Sequence, residues 1–323
     1  MIAAIIIADS ETEGETRCQP VSATTNWACI DVLGQPVLGR IVDGLKNGGI
    51  DSVFVFSPPQ GSFGIHADAR ALALDNWRAA GFRFAKCREE AFEAVLIANC
   101  GTYAEFDLDD MLAFHHEQGQ PVSRALAADG PVDLWLIDPS RFSNSEDLRT
   151  DILATDPAYY ELLGYVNRLS SAREFRRLVV DSFSSRCRLR PRGVETRPGV
   201  WIGESAEVGR GARLVAPAFV GRGVKIGDDC LITRGSNVER SSDIDFATAV
   251  EDSSILPNTY LGIGLDLSHS VANGRNLWNL RHDVTLEITD PVVMRPNPGN
   301  RARRAWSDIQ KDGFRLSAQG VSQ

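Results

Sequence analysis

The chain has 323 residues, 43% of them hydrophobic and 24% charged, with a formal net charge of −9. This is enough for two domains with a sizeable core, and the composition is that of an ordinary soluble protein. The acidic balance excludes a general nucleic-acid binder, and no apolar run approaches a membrane span or follows the basic start of a signal peptide. Six cysteines (18, 29, 87, 100, 187 and 230) are scattered, with no C-x-x-C pair and no histidine at ligand spacing; a reduced, cytoplasmic protein without structural zinc is expected.

Taken in chain order, Ile2 to Ala8 carries Ile5-Ile6-Ile7 and reads as a first buried strand. The loop after it, "IADSETEGETRCQP" (7–20), is lined by Asp9, Glu11, Glu13 and Glu15 with a single glycine, Gly14. Pro36 opens a helix with Val37, Leu38, Ile41, Val42 and Leu45 on one face, closed by Gly48-Gly49. "SVFVFS" (52–57) reads as a buried strand, 66–80 as a helix, and "FRFA" (82–85) and "AVLIAN" (94–99) as further strands. A capped helix is expected over 107–119, ending at Gly119, and a strand at "VDLWLID" (132–138). Within that helix, His115 and His116 are adjacent in sequence, so they do not share a face and cannot together hold a metal. Residues 146–186 read as wholly helical, with Phe175, Leu178, Val179 and Phe183 inward and Arg173, Arg176 and Arg177 outward. Strands alternating with helices imply a doubly wound, Rossmann-like parallel sheet.

The C-terminal half has a different period. Every sixth residue from 202 is aliphatic: Ile202, Val208, Leu214, Val220, Ile226, Ile232, Val238, Ile244, Val250 and Leu256. Four places further on stand Ala206, Ala212, Ala218, Val224, Cys230, Ser236, Ser242, Thr248, Ser254 and Tyr260, small or β-branched except for the last. Glycine often follows the aliphatic residue, at 203, 209, 221 and 227. Neither a helix nor a plain strand gives a period of six. A parallel β-helix does, with three hexads to a coil, the aliphatic residue stacked inside and glycine allowing the turn between faces. The repeat spans 196–260, near four coils, and resembles the left-handed β-helix of hexapeptide-repeat proteins. Domains at 1–190, 191–290 and a basic tail at 291–323 follow; the tail carries six Arg or Lys (Arg295, Arg301, Arg303, Arg304, Lys311, Arg315) against two Asp.

An α/β domain followed by hexads resembles the sugar-1-phosphate nucleotidyltransferases, or NDP-sugar pyrophosphorylases. "TRCQP" (16–20) resembles the T-R-L-x-P that closes their glycine-rich loop. "IDVLGQPVLGRIVDGLKNGGIDSVFVF" (30–56) is similar to their P-V-x-G-K-P-x-L segment and its continuation. "FDLDDMLAFHHEQG" (106–119) is similar to the helix after their metal-binding strand. "SSILPNTYLGIGLDLSHSVANGRNL" (253–277) resembles the end of the β-helix in members linked to polysaccharide synthesis. Together these cover most of residues 1–290.

The resemblance implies a catalytic apparatus that this chain does not carry. The two glycines of the family's phosphate loop fall on Glu13 and Glu15, leaving Gly14, Thr16 and Arg17 as its remnant. Side chains there block close approach of the backbone, and carboxylates repel phosphate. The family's P-K pair falls on Asn26-Trp27, so its lysine is absent, and its metal-binding aspartate falls on Cys100-Gly101, where neither residue suits a hard cation such as Mg²⁺. A non-catalytic homologue, structural or regulatory in sugar-nucleotide or polysaccharide metabolism, is therefore expected, without a cofactor. The alternatives are an active nucleotidyltransferase with a reorganised site, which alone would need Mg²⁺, and a hexapeptide-repeat acyltransferase with His269 as general base. Self-association, or a complex with an active relative, is expected through the β-helix.

Overall fold

The computed structural model describes residues 1–8, 27–50, 52–56, 69–142 (backbone only at 69–75) and 147–297. The chain divides into two compact units, Met1–Ile30 with Gln35–Leu189, and Asp31–Gly34 with Arg190–Gln323.

Among the described residues, the main sheet of the first unit has six strands, interleaved with five α-helices: β1 (Ile2–Ile7), α1 (Val37–Asn47), β2 (Ser52–Phe56), α2 (Ala69–Glu89), β3 (Ala94–Asn99), α3 (Leu108–Gln118), β4 (Val122–Ala127), β5 (Gly130–Ile137), α4 (Leu148–Ala154), β6 (Ala158–Glu161) and α5 (Ala172–Phe183). The sheet order is β2-β1-β3-β5-β4-β6. Strand β1 is central and apolar on both faces. Ala4, Ile6 and Ala8 join one core cluster with β3, α3 and Tyr160, while Ala3, Ile5 and Ile7 join another with Trp77, Phe84 and Trp135. Such two-sided burial is what a continuous apolar run requires.

The sheet is mixed, not parallel throughout. β2, β1 and β3 run parallel, but β5 is antiparallel to both β3 and β4. The expected doubly wound sheet is corrected on this point. Its cause is a hairpin at Ala128-Asp129-Gly130, where Gly130 has φ +124°; a tight turn reverses the chain, whereas parallel neighbours need a crossover. Strand β4, which composition alone did not reveal, is the first arm of that hairpin.

Four further expectations change. Residues 82–85 are not a strand but the middle of α2. Trp77, Ala80, Phe84 and Cys87 are buried while Phe82 is 70% exposed, the three- and four-residue spacing of a helix. Residues 146–186 are not wholly helical, since β6 extends the sheet edge between α4 and α5. On α5, Arg176 is buried rather than outward, because the covered face also takes in Ala172, Asp181 and Ser182 and is wider than the apolar stripe. β2, expected to be buried, is half-buried at the sheet edge, with the Arg83 guanidinium 3.8 Å over the Phe54 ring. Helices α1 and α3 agree with their sequence signals. Asp107 caps α3 by accepting from the Asp109 and Asp110 amides, and Gly119 closes it at φ +62°.

In the second unit the chain visits three sheets in rotation. Val200–Ile202, Ala218–Val220, Ser236–Val238 and Ser254–Ile255 pair in one sheet; Glu207–Val208, Lys225–Ile226, Asp243–Ile244 and Thr259–Leu261 in the next; Arg213–Leu214, Leu231–Thr233, Ala249–Glu251 and Asp266–Ser268 in the third. All these pairings are parallel, an arrangement compatible with a β-helix. Val220, Ile226, Ile232, Val238, Ile244 and Val250 form its core. Val208, on an edge strand, is 41% exposed.

The hexads slip once. Ala218 pairs with Ser236, a step of 18 residues, but Asn237 pairs with Ser254, a step of 17. Ile255, not Leu256, therefore stacks on Val238. The slip also removes the anomaly of Tyr260: the buried small positions of the last repeat are Ser253 and Thr259. These hydroxyls answer buried amides one repeat on. Ser236, Ser242, Thr248 and Ser253 accept from the N–H groups of Ser253, Thr259, Leu265 and Ser270 at 3.1, 3.2, 3.0 and 3.0 Å, satisfying donors that water cannot reach.

The glycines after the aliphatic positions serve close approach rather than the turn. A Cβ on Gly209 would stand 2.6 Å from the Asp228 amide nitrogen of the next repeat. The left-handed residues lie two positions later, among them Ser205, Gly211, Gly223, Asp229, Ser241 and Ala247. Residues 291–297, read from composition as the start of the tail, instead give the strand Met294–Pro296, paired antiparallel with Thr259–Leu261. There Met294 is buried in the core, and Arg295 stacks 3.5 Å over Tyr260. Residues 298–323, with Arg301, Arg303, Arg304, Lys311 and Arg315, lie outside the described residues.

Candidate functional site

In an open α/β sheet, ligands gather at the carboxyl ends of the parallel strands, where the strand order reverses. Here β2 and β3 flank β1, so that place is the end of β1 and β3. Glu13, Gly14, Glu15, Thr16 and Arg17, which follow β1 in sequence, lie with Asn26 outside the described residues.

Trp27 and Cys100 are core residues. Trp27 is 8% exposed, on a single turn of 3₁₀ helix, with its ring 5.4 Å from that of Phe175 on α5. At the end of β3, the Cys100 amide donates to Ile7 O at 2.8 Å, holding the two strand ends together. The Cys100 side chain is wholly buried in the cluster that also takes up Cys29, and burial pushes its thiol well above the usual range. A thiol so disfavoured as thiolate is a packing group rather than a ligand or nucleophile. Gly101 is half-buried. Cys29, Cys87, Cys100 and Cys230 carry free thiols.

Asn99 faces the opposite side of the sheet from Cys100. It is 5% exposed, and among the described residues neither its Oδ1 nor the buried Trp77 indole Nε1 has a hydrogen-bond partner. Both line a void of about 10 Å³ together with Asp133, Trp135 and Arg149. That volume holds one water and nothing larger. Sequence reading missed this void because Trp77, Asn99 and Trp135 come from three separate elements.

His115 is buried, with Nδ1 2.7 Å from Ser123 Oγ, and burial, then the neighbouring His116, lower its proton affinity. It packs, as its position on α3 suggests, while half-exposed His116 reaches Glu93 at 3.4 Å. His269, at φ +49°, has Nδ1 2.6 Å from Asp252 Oδ2, both about one-third exposed. Asp252 escaped the sequence reading. It lies one 17-residue repeat before His269, a relation visible only once the slip is known. Among the described residues, no group of three or more His, Cys, Asp or Glu is placed to hold a metal ion, and no helix is long and apolar enough to cross a membrane.

No protein-family model matches the chain, and no curated protein matches it in sequence. Among solved structures, the chain is similar to HddC from Yersinia pseudotuberculosis complexed with GMP-PN, at 11% identity and a TM-score of 0.38, over 55% of this chain and 97% of that one.

Proposed function

We propose that this chain is a non-catalytic relative of the sugar-1-phosphate nucleotidyltransferases, acting structurally or as a regulator in sugar-nucleotide or polysaccharide metabolism. The observation that carries this reading is the fate of the positions where the family keeps its cation and its metal ligand. Trp27 packs on Phe175, and Cys100 is sealed in the core. A lysine at 27 would have to bury its ammonium where an aromatic ring now lies, and Cys100-Gly101 offers no side-chain oxygen to Mg²⁺. Glu13 and Glu15 add charge repulsion in the remnant loop beside Gly14, Thr16 and Arg17.

On this reading the three-sheet repeat is a left-handed β-helix of a cytoplasmic protein, the chain needs no cofactor, and the helix serves self-association or docking to an active relative. The division into 1–190, 191–290 and a tail from 291 belongs to the same proposal. The purified protein is expected to release no NTP from a panel of NDP-sugars with pyrophosphate and Mg²⁺. Turnover that co-purifies with the chain would establish the active nucleotidyltransferase instead. Trp27→Lys alone is expected to restore nothing, since loop and metal ligand remain absent.

The Asp252–His269 pair favours a second reading, acyl transfer. A carboxylate on Nδ1 orients the imidazole and leaves Nε2 to take a proton from an acceptor hydroxyl or amine. If this holds, thiol release from acyl-CoA in the presence of a sugar nucleotide falls about 100-fold or more in His269→Ala. An inactive parent protein, or activity indifferent to His269, removes this reading.

A further inference from the structure

The segment "VTLEI" (284–288) alternates apolar and polar residues, the pattern of a strand with one covered face. It gives the strand Val284–Glu287, one edge of the eight-stranded sheet that contains Val200–Ile202; Val194–Arg197 is the other edge. Val238, Ile255, Ala272, Leu277 and Leu286 stand side by side in register across this sheet. The row starts in the core, where Val238, Ile255 and Ala272 are fully buried, and Leu277 and Ile288 still pack against that core. At the edge it runs out into solvent, with Val284 and Leu286 43% and 45% exposed.

The edge is also open along its backbone. The Ile288 amide donates to Arg275 O at 2.8 Å. Hydrogen-bonded pairs alternate along an antiparallel ladder, so Val284, Leu286 and Ile288 bond inward. The N–H and C=O groups of Thr285 and Glu287 point outward, and among the described residues nothing pairs with them. The opposite edge is blunted. Its ladder is broken by a register shift between Glu195 and Arg197, and Pro198 follows, two devices that keep a strand from accepting a neighbour. Val284–Glu287 has no bulge, proline or lysine.

We propose that the self-association ascribed to the second unit, on which this inference rests, runs through this edge: Val284–Glu287 pairs antiparallel with the same strand of a second copy, about a twofold axis at Leu286. Thr285 and Glu287 are the outward-bonding residues, so a twofold pairing matches Thr285 with Thr285, Glu287 with Glu287, or Thr285 with Glu287. The first sets Glu287 against Asp283 of the other copy, and the second opposes two Glu287 carboxylates; like charges placed so are unfavourable. The third opposes no like charges. Each Thr285 exchanges two backbone hydrogen bonds with Glu287 of the other copy, and the two Leu286 side chains meet on the axis in a close, non-hydrogen-bonded pair. The apolar row then runs unbroken from one copy into the next.

Sedimentation velocity of the full chain between roughly 5 and 500 µM tests this. A contact of one short strand falls in the weak class of interfaces, so the parent protein is expected to pass from monomer to dimer within that range. Leu286→Lys and Leu286→Glu each set like charges on the axis, and Thr285→Pro removes an outward N–H while sparing the inward ladder. Each is expected to weaken dimerisation about tenfold or more. An equimolar mixture of Leu286→Lys and Leu286→Glu should recover it, which misfolding cannot do, and Val194→Lys at the opposite edge should leave it intact. A parent protein that stays monomeric overturns self-association as a whole. A dimer indifferent to Leu286 and Thr285, no recovery in the mixture, loss in Val194→Lys, or assembly that grows beyond the dimer overturns this edge alone. Should Thr285→Pro not fold, the charged variants decide.

Discussion

Val220→Asp is expected to destabilise the second unit by ~3 kcal/mol or more, while Arg222→Asp, two residues on, stays close to the parent protein. Val220 is fully buried, stacked in register between Ile202 and Val238, whereas Arg222 is exposed. A carboxylate at 220 would have no counter-ion or donor within the aliphatic stack, and its charge would be desolvated on every side. The measurement is circular-dichroism melting of both variants. Equal tolerance of the two would mean that the sixfold period does not mark an interior.

The other large effect belongs to α2. Phe84→Ala is expected to cost about 3–5 kcal/mol, the price of emptying a core aromatic site, and Phe82→Ala about 0.5 kcal/mol or less. Phe84 is fully buried, with its ring 5.8 Å from Phe142 in an edge contact, while Phe82 is 70% exposed. The pair discriminates between conformations. A strand over 82–85 would place both rings on one face; a helix turns them about 200° apart. Comparable losses for both substitutions in urea unfolding would restore the strand.

The two effects sit on opposite sides of what the sequence makes legible. A local period states its own geometry. The aliphatic residue at every sixth place, from Ile202 to Val250, can be satisfied only by chain that returns to the same face after three short strands, so the interior of the second unit is written in single residues. The same holds for α3, whose cap Asp107, inner residues Met111 and His115 and closing Gly119 lie within one short segment. The slip after Val250 was not read from the sequence, which keeps Leu256 in phase; it emerged when Ile255 was seen opposite Val238.

The candidate site divides the same way. Motif comparison marks Trp27, Cys100 and Gly101 as unlike a phosphate and metal site, because side-chain chemistry alone decides whether a residue can ligate. That Trp27 lies on Phe175 and that Cys100 joins the sheet core are facts of residues far apart in sequence. So is the pairing of Asp252 with His269.

By itself, then, the sequence determined most of the strands and helices of the first half and the sixfold repeat of the second. Tertiary structure decided that β4 and β5 enter the sheet as a reversed hairpin, that "FRFA" is helix, that Arg176 is buried and that Met294 closes a core. Short apolar runs satisfy either backbone conformation equally well, so the partner that covers them makes the choice. A period kept in phase from Ile202 to Val250 leaves little such freedom, because a chain that returns to one face every 18 residues brings these positions into a single stack.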